Sequence, residues 1–162
     1  MDDIDYVLNA LHRRDVTLKF VPRDQCDLYR VALGRLEQDG HRICRISLLN
    51  VETEIELLRR LSVATSSPWV CTSWGALEDW MNQLSFLLAK GRGCFFSMEN
   101  GLSFWQEHTS IAGTLSNKIQ SIASFWRDRS SVSGGVLRNE IETKFPEWAR
   151  PDNYLSGIYE LR

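Results

Sequence analysis

The chain has 162 residues, 43% hydrophobic and 25% charged, the make-up of one ordinary globular domain rather than a disordered or fibrous protein. Nineteen lysines and arginines against 21 aspartates and glutamates leave a formal net charge of −2. This balance offers no general attraction to phosphates and argues against direct nucleic-acid binding. No apolar run approaches the ~20 residues that cross a bilayer, and the acidic opening MDDIDYVLNALHRRD lacks the basic-then-apolar order of a secretory signal, so a cytoplasmic protein without membrane contact is expected.

In chain order, residues 1–15 read as a helical lead-in, peripheral to the domain. TLKFVP (17–22) alternates apolar and polar residues and ends in proline, as a short strand does. RDQCDLYRVALGRLEQDG follows as a helix, with Asp24 placed to cap it, Leu28, Val31, Ala32 and Leu36 along one side, and Gly40 to end it. HRICRISLL reads as a strand. NVETEIELLRRL opens with Thr53 and Glu56 at capping-box spacing and carries Ile55, Leu58 and Leu61 as the expected buried face. Its glutamates, offset by Arg59 and Arg60, read as a solvated face.

SSPWVCTSWGALEDWMNQLSFL (66–87) concentrates three of the six tryptophans. Pro68 keeps its neighbours extended, and Thr72 or Ser73 can cap a helix that starts near Trp74. From there Trp74, Leu77, Met81, Leu84 and Leu88 recur at intervals of three and four, a core stripe with Trp80 at its border. At ~100° per residue Asp79 falls on the opposite face and Glu78 on the flank. Trp69 and Val70 precede the helix, in a loop, where a large aromatic either folds back over the helix end or anchors a partner.

GRGCFFSMEN, an apolar run between glycines and a polar turn, predicts a buried central strand. SFWQEHTSIAGTLSNKIQSIASFWRDR predicts one long helix with Ile111, Leu115, Ile119, Ile122 and Trp126 on one side, weakened near its start by Gly113. After the break SSVSGG, the segment 130–153 looks like an insertion containing Phe145, Trp148 and Arg150, an extra packed element or a second contact surface. NYLSGIYELR predicts the last strand. Strands alternating with helices argue for a single α/β domain, a small and mostly parallel sheet packed with helices.

The cysteines Cys26, Cys44, Cys71 and Cys94 lie far apart without a C-x-x-C pair, and His12, His41 and His108 are equally scattered. Four reduced, buried thiols and neither metal nor cofactor are therefore expected. A G-x-S-x-G elbow, a phosphate-binding glycine loop and H-E-x-x-H are all missing from the sequence, which leaves Cys71, near a helix start, as the one candidate for an activated thiol.

The order of these elements, together with Pro68, Trp69, Val70, Cys71, Ser73, Trp74, Gly75, Ala76 and Leu77 and then Leu84, Ser85 and Phe86, resembles the barstar-like family of ribonuclease inhibitors. Members carry a proline, two aromatics, a glycine and an asparagine, then Asp-Ala-Leu entering a helix that closes on leucine-serine-tryptophan. The resemblance runs from about Val16 to the last strand. It implies a cytosolic immunity protein or antitoxin, without chemistry of its own, that plugs the active site of a cognate toxin, usually a nuclease.

The resemblance places the partner-binding residues at Trp69, Val70, Thr72, Ser73, Gly75, Glu78 and Asp79. Asp79 stands where the family has its second helix acid. Trp69 keeps one loop aromatic, whereas Val70 replaces the other. Gly75 replaces the aspartate before Ala-Leu, while Cys71 and Ser73 replace the glycine and asparagine that shape the loop. Glu78 restores a charge on a different bearing, and Asp128 is a faint counterpart of an acid on the last long helix. These departures also suit an adaptor or regulator that keeps the fold without inhibiting a toxin.

Overall fold

The computed structural model describes residues 3–11, 18–83, 94–131 and 155–162, with side chains as far as Phe125 in the long helix and from Gly157 in the last strand. Four strands, β1 (Leu18–Pro22), β2 (Arg42–Ser47), β3 (Cys94–Glu99) and β4 (Leu155–Leu161), form one all-parallel sheet in the order β1-β4-β3-β2. This is the α/β sheet that the alternation of elements predicts. In β3 the first five residues are buried, as befits an inner strand with a helix layer on each face.

Alternate side chains divide the interior into two cores. Val21, Ile43, Phe95 and Ile158 face a layer made by α1 (Asp3–Leu11) and α2 (Cys26–Gln38). Val7 and Leu11 are buried there, so the opening helix packs into the domain instead of standing at its periphery. Asp24 does not cap α2. It sits in a 3₁₀ turn over Arg23–Gln25, and the helix begins beyond it at Cys26 without a side-chain cap. The side that packs against the sheet carries Cys26, Tyr29, Ala32, Leu33 and Leu36, and Val31, expected among them, is half-exposed.

Cys44, Ile46, Phe96, Met98 and Tyr159 face the second layer, built from α3 (Glu54–Ala64), α4 (Trp74–Met81), α5 (Leu102–Glu107) and α6 (Thr109–Ser131). Thr53 caps α3 as predicted, its Oγ1 accepting from the Glu56 N–H at 3.2 Å. Leu57, Leu58 and Leu61 are its buried face, and Ile55, expected there, points to solvent. The single long helix predicted over 103–129 is two helices. His108 leaves helical geometry (φ −130°, ψ 51°) and separates α5 from α6. Leu115, Ile119 and Ile122 line α6 as expected, whereas the Trp126 and Asp128 side chains and most of the 130–153 segment lie outside the described residues.

The turn from β3 to α5 fits closely under β4. A Cβ on Gly101 would collide with the Tyr159 ring and come within 2.9 Å of the Glu160 carbonyl oxygen, so only glycine fits. The Tyr159 hydroxyl donates to the Gly101 carbonyl at 2.8 Å and the Gly101 N–H donates to the Glu160 carbonyl at 3.1 Å. All four cysteines are buried thiols.

Candidate functional site

The loop between α3 and α4 is shaped by backbone bonds that its serines make possible. Ser66 takes the left-handed conformation (φ 56°) just past the end of α3. The N–H of Ser66 then reaches the Val63 carbonyl at 3.1 Å and that of Ser67 the Ser62 carbonyl at 2.9 Å. Together these bonds close α3 as a Schellman motif, with serine where glycine is usual. Ser67 Oγ donates to the Trp69 carbonyl at 2.6 Å and accepts from the Trp69 N–H at 3.3 Å. Farther along, the Cys71 N–H donates to Ser62 Oγ at 2.9 Å. The loop is thereby pinned at both ends against α3.

Ser73 caps α4, its Oγ accepting from the Ala76 N–H at 3.1 Å, so the predicted start at Trp74 is observed. Leu77 and Met81 are fully buried and Trp74 is half-buried against the same core; Leu84 and Leu88 lie outside the described residues. Trp80, predicted at the border, is buried and donates from Nε1 to the Thr65 carbonyl at 3.2 Å, which ties α4 to the loop.

Trp69 folds back only in part. Its ring meets Trp80 edge-on at 6.0 Å between centroids, yet 48% of the residue remains exposed. Val70 beside it is 58% exposed. Thr72, Ser73, Gly75 and Asp79 are exposed as well, so the seven residues named from the sequence share one loop and one short helix and all reach the surface. Glu78 differs from the rest. It is half-buried, and Lys118 of α6 holds its carboxylate at 2.8 Å. Its charge is spent within the molecule, leaving Asp79 as the acid of α4 that faces solvent.

At Gly75 a Cβ would meet only Ser73 Oγ, at 3.9 Å, so no packing demand explains the glycine. Cys71, the candidate nucleophile, is 1% exposed, and its sulfur lies 3.8 Å from Ser67 Oγ. Burial closes this thiol to a substrate. Among the described residues no three His, Cys, Asp or Glu side chains are placed to hold a metal ion, and no helix is long and apolar enough to cross a membrane.

No protein-family model, curated protein or solved structure matches this chain. The surface therefore has to be read from its own chemistry: an exposed aromatic and aliphatic tip at Trp69 and Val70, one exposed carboxylate at Asp79, and serine hydroxyls that are mostly taken up in holding the loop and the helix cap. Three of its supports were not visible in the sequence. The Lys118 partner comes from another helix, the Ser62 hydroxyl is hidden on the buried side of α3, and the Thr65 carbonyl is a backbone group.

Proposed function

We propose that this chain is a cytoplasmic immunity protein or antitoxin of the barstar-like kind. It binds a cognate toxin, a nuclease in the family's usual pairing, and occludes its active site with the 69–73 loop and α4. The observation that carries this reading is Trp69: a half-exposed indole, braced edge-on by buried Trp80, in a loop whose backbone is already fixed. A preorganised aromatic loses little freedom on binding, which is how a few such anchors come to dominate an interface. With Glu78 paired and Gly75 uncharged, electrostatic steering rests on Asp79, so Trp69 and Val70 supply most of the affinity.

A second reading, an adaptor or regulator with the same surface, draws on that same shortage of acids. Both are tested by capturing the partner from the native host with the tagged chain and assaying the partner's activity with and without added protein. Inhibition favours the antitoxin; binding without inhibition favours the adaptor. Trp69→Ala with Asp79→Ala should weaken binding by about 2–4 kcal/mol, and changes at Glu52 or Glu54 far less. Equal losses at both sets would overturn the placement of the surface.

A further inference from the structure

A second surface lies along the far edge of the sheet, where α3 crosses β2. A groove of about 220 Å³ runs there, lined by Arg45, Ile46, Ser47, Arg59, Arg60 and Val63. Its walls are already ordered. Arg60 Nε donates to Glu56 at 2.9 Å, and its Nη1 donates to the Ser47 and Leu49 carbonyls at 2.7 and 2.9 Å. Arg59 pairs with the same Glu56 carboxylate at 2.9 and 2.7 Å, and Arg45 with Glu37 at 3.2 Å. A guanidinium carries five N–H donors, so each arginine keeps donors beyond those its glutamate takes. Arg45 is 41% and Arg59 52% exposed, leaving those donors accessible.

Charge on this edge runs against that of the chain. Arg45, Arg59 and Arg60 line the groove and Arg42 lies beside it, bonded to Ser66 Oγ. Among the described residues these four cations stand against Glu37, Glu56 and the more distant Glu99, a surplus of cations on a protein of net charge −2. Glu52, just before α3, and Glu54, its first residue, do not line the groove. Apolar side chains flank the cations: Val63 is 68% exposed, Ile55 70% and Leu49 55%. Exposed aliphatics alternating with ordered arginines match an extended protein segment that bears both carboxylates and small apolar side chains. The volume is too small for a drug-sized ligand.

We propose that this groove docks an acidic, extended segment of a partner protein, its carboxylates received by Arg45 and Arg59 and its apolar side chains by Val63. The site is separate from the surface around Trp69 and does not depend on its assignment. The test is fluorescence anisotropy of the intact protein with a labelled peptide of alternating glutamate and valine, beside a lysine-valine counterpart. The glutamate peptide should bind with an affinity that falls as salt rises, and the lysine peptide should not. Arg45→Gln with Arg59→Gln should weaken binding roughly tenfold or more. Val63→Asp, made at an exposed position, should give the same loss, and Trp69→Ala should give none. Equal binding of both peptides, no binding of the acidic one, indifference to both groove variants, or displacement by inorganic phosphate or duplex DNA would overturn the proposal.

Discussion

Arg30 and Glu160, 130 positions apart in the chain, meet in a two-pronged ion pair of 2.8 and 2.7 Å. Glu160 in β4 is wholly buried, the Asn100 N–H donates to the same carboxylate at 3.2 Å, and Arg30 also lies 3.4 Å from Glu99. The pair fastens α2 to the ends of β3 and β4. Burial pushes the Glu99 carboxyl above its ordinary value, and nearby Arg30 counters that rise.

Breaking this pair on one side should cost more than removing it. Arg30→Met strands a buried carboxylate and should destabilise the fold by about 3 kcal/mol in urea titrations. Adding Glu160→Gln should recover most of that loss, because the amide still accepts from Asn100 and carries no charge. A double variant as unstable as the single one would contradict the assignment of the cost to an unpaired charge.

Gly75 occupies the first turn of α4 with open space around it. Gly75→Asp should stabilise the protein by about 0.5–1 kcal/mol, through better helix propensity and a negative charge at the helix N-terminus. Thermal melting reads this directly. A lowered melting temperature would show that the backbone at this position needs glycine after all.

Glu56 predicts an acid limb in the stability profile. Hydrogen bonds from Arg59 and then Arg60 hold its carboxyl down to about 2, against an ordinary value of 4.5. A depressed carboxylate contributes stability that is whole above the unfolded value and drains away as pH falls through the folded one. The loss attributable to Glu56 therefore falls between pH 4.5 and about 2. Glu56→Gln should flatten stability against pH in that window and leave its slope near neutrality unchanged. A full acid limb in the variant would assign the loss to other carboxylates.

Cys44 and Cys94 bring their sulfurs within 3.4 Å inside the core, which invites the idea of a disulfide. The strand register opposes it. Cys94 lies opposite Arg42, two residues before Cys44. Strand spacing and rise then separate the two Cα atoms by roughly 8 Å, beyond the ~7 Å that a disulfide spans. Treatment with diamide should leave both thiols intact by peptide mass mapping. A cross-linked Cys44–Cys94 peptide would show that β2 and β3 can slip past each other.

Much of the architecture was legible because period and punctuation agree with it. Ser73 and Thr53 cap where the sequence puts them, and Leu77 and Met81 mark the inner side of α4. Val31 and Ile55 misled because β-branched apolar residues look like core wherever they occur, and packing against the sheet decides which side of a helix is buried: Ile55 faces solvent although Thr53 caps α3 where expected. The break at His108 carries no glycine or proline to announce it. That residues 69–79 gather on one loop and one short helix follows from their adjacency in the chain, but the pairing of Glu78 does not, since Lys118 arrives from a helix 40 positions away. The groove beside β2 was invisible for the same reason: Arg45 and Arg59 become neighbours only when strand and helix pack.

β4 sits between β1 and β3, and β1 pairs with no other strand among the described residues. Residues 18–22 therefore leave the ribosome long before 157–161 exist to receive them. Until then the sheet can assemble only its β2–β3 half, and an apolar edge waits unpaired, the condition under which growing chains are most exposed to wrong pairing and to chaperones. Shearing off the closing strand would accordingly strand β1 and halve the sheet, while β2 and β3 keep each other and hold the α1–α2 layer only through Ile43 and Phe95.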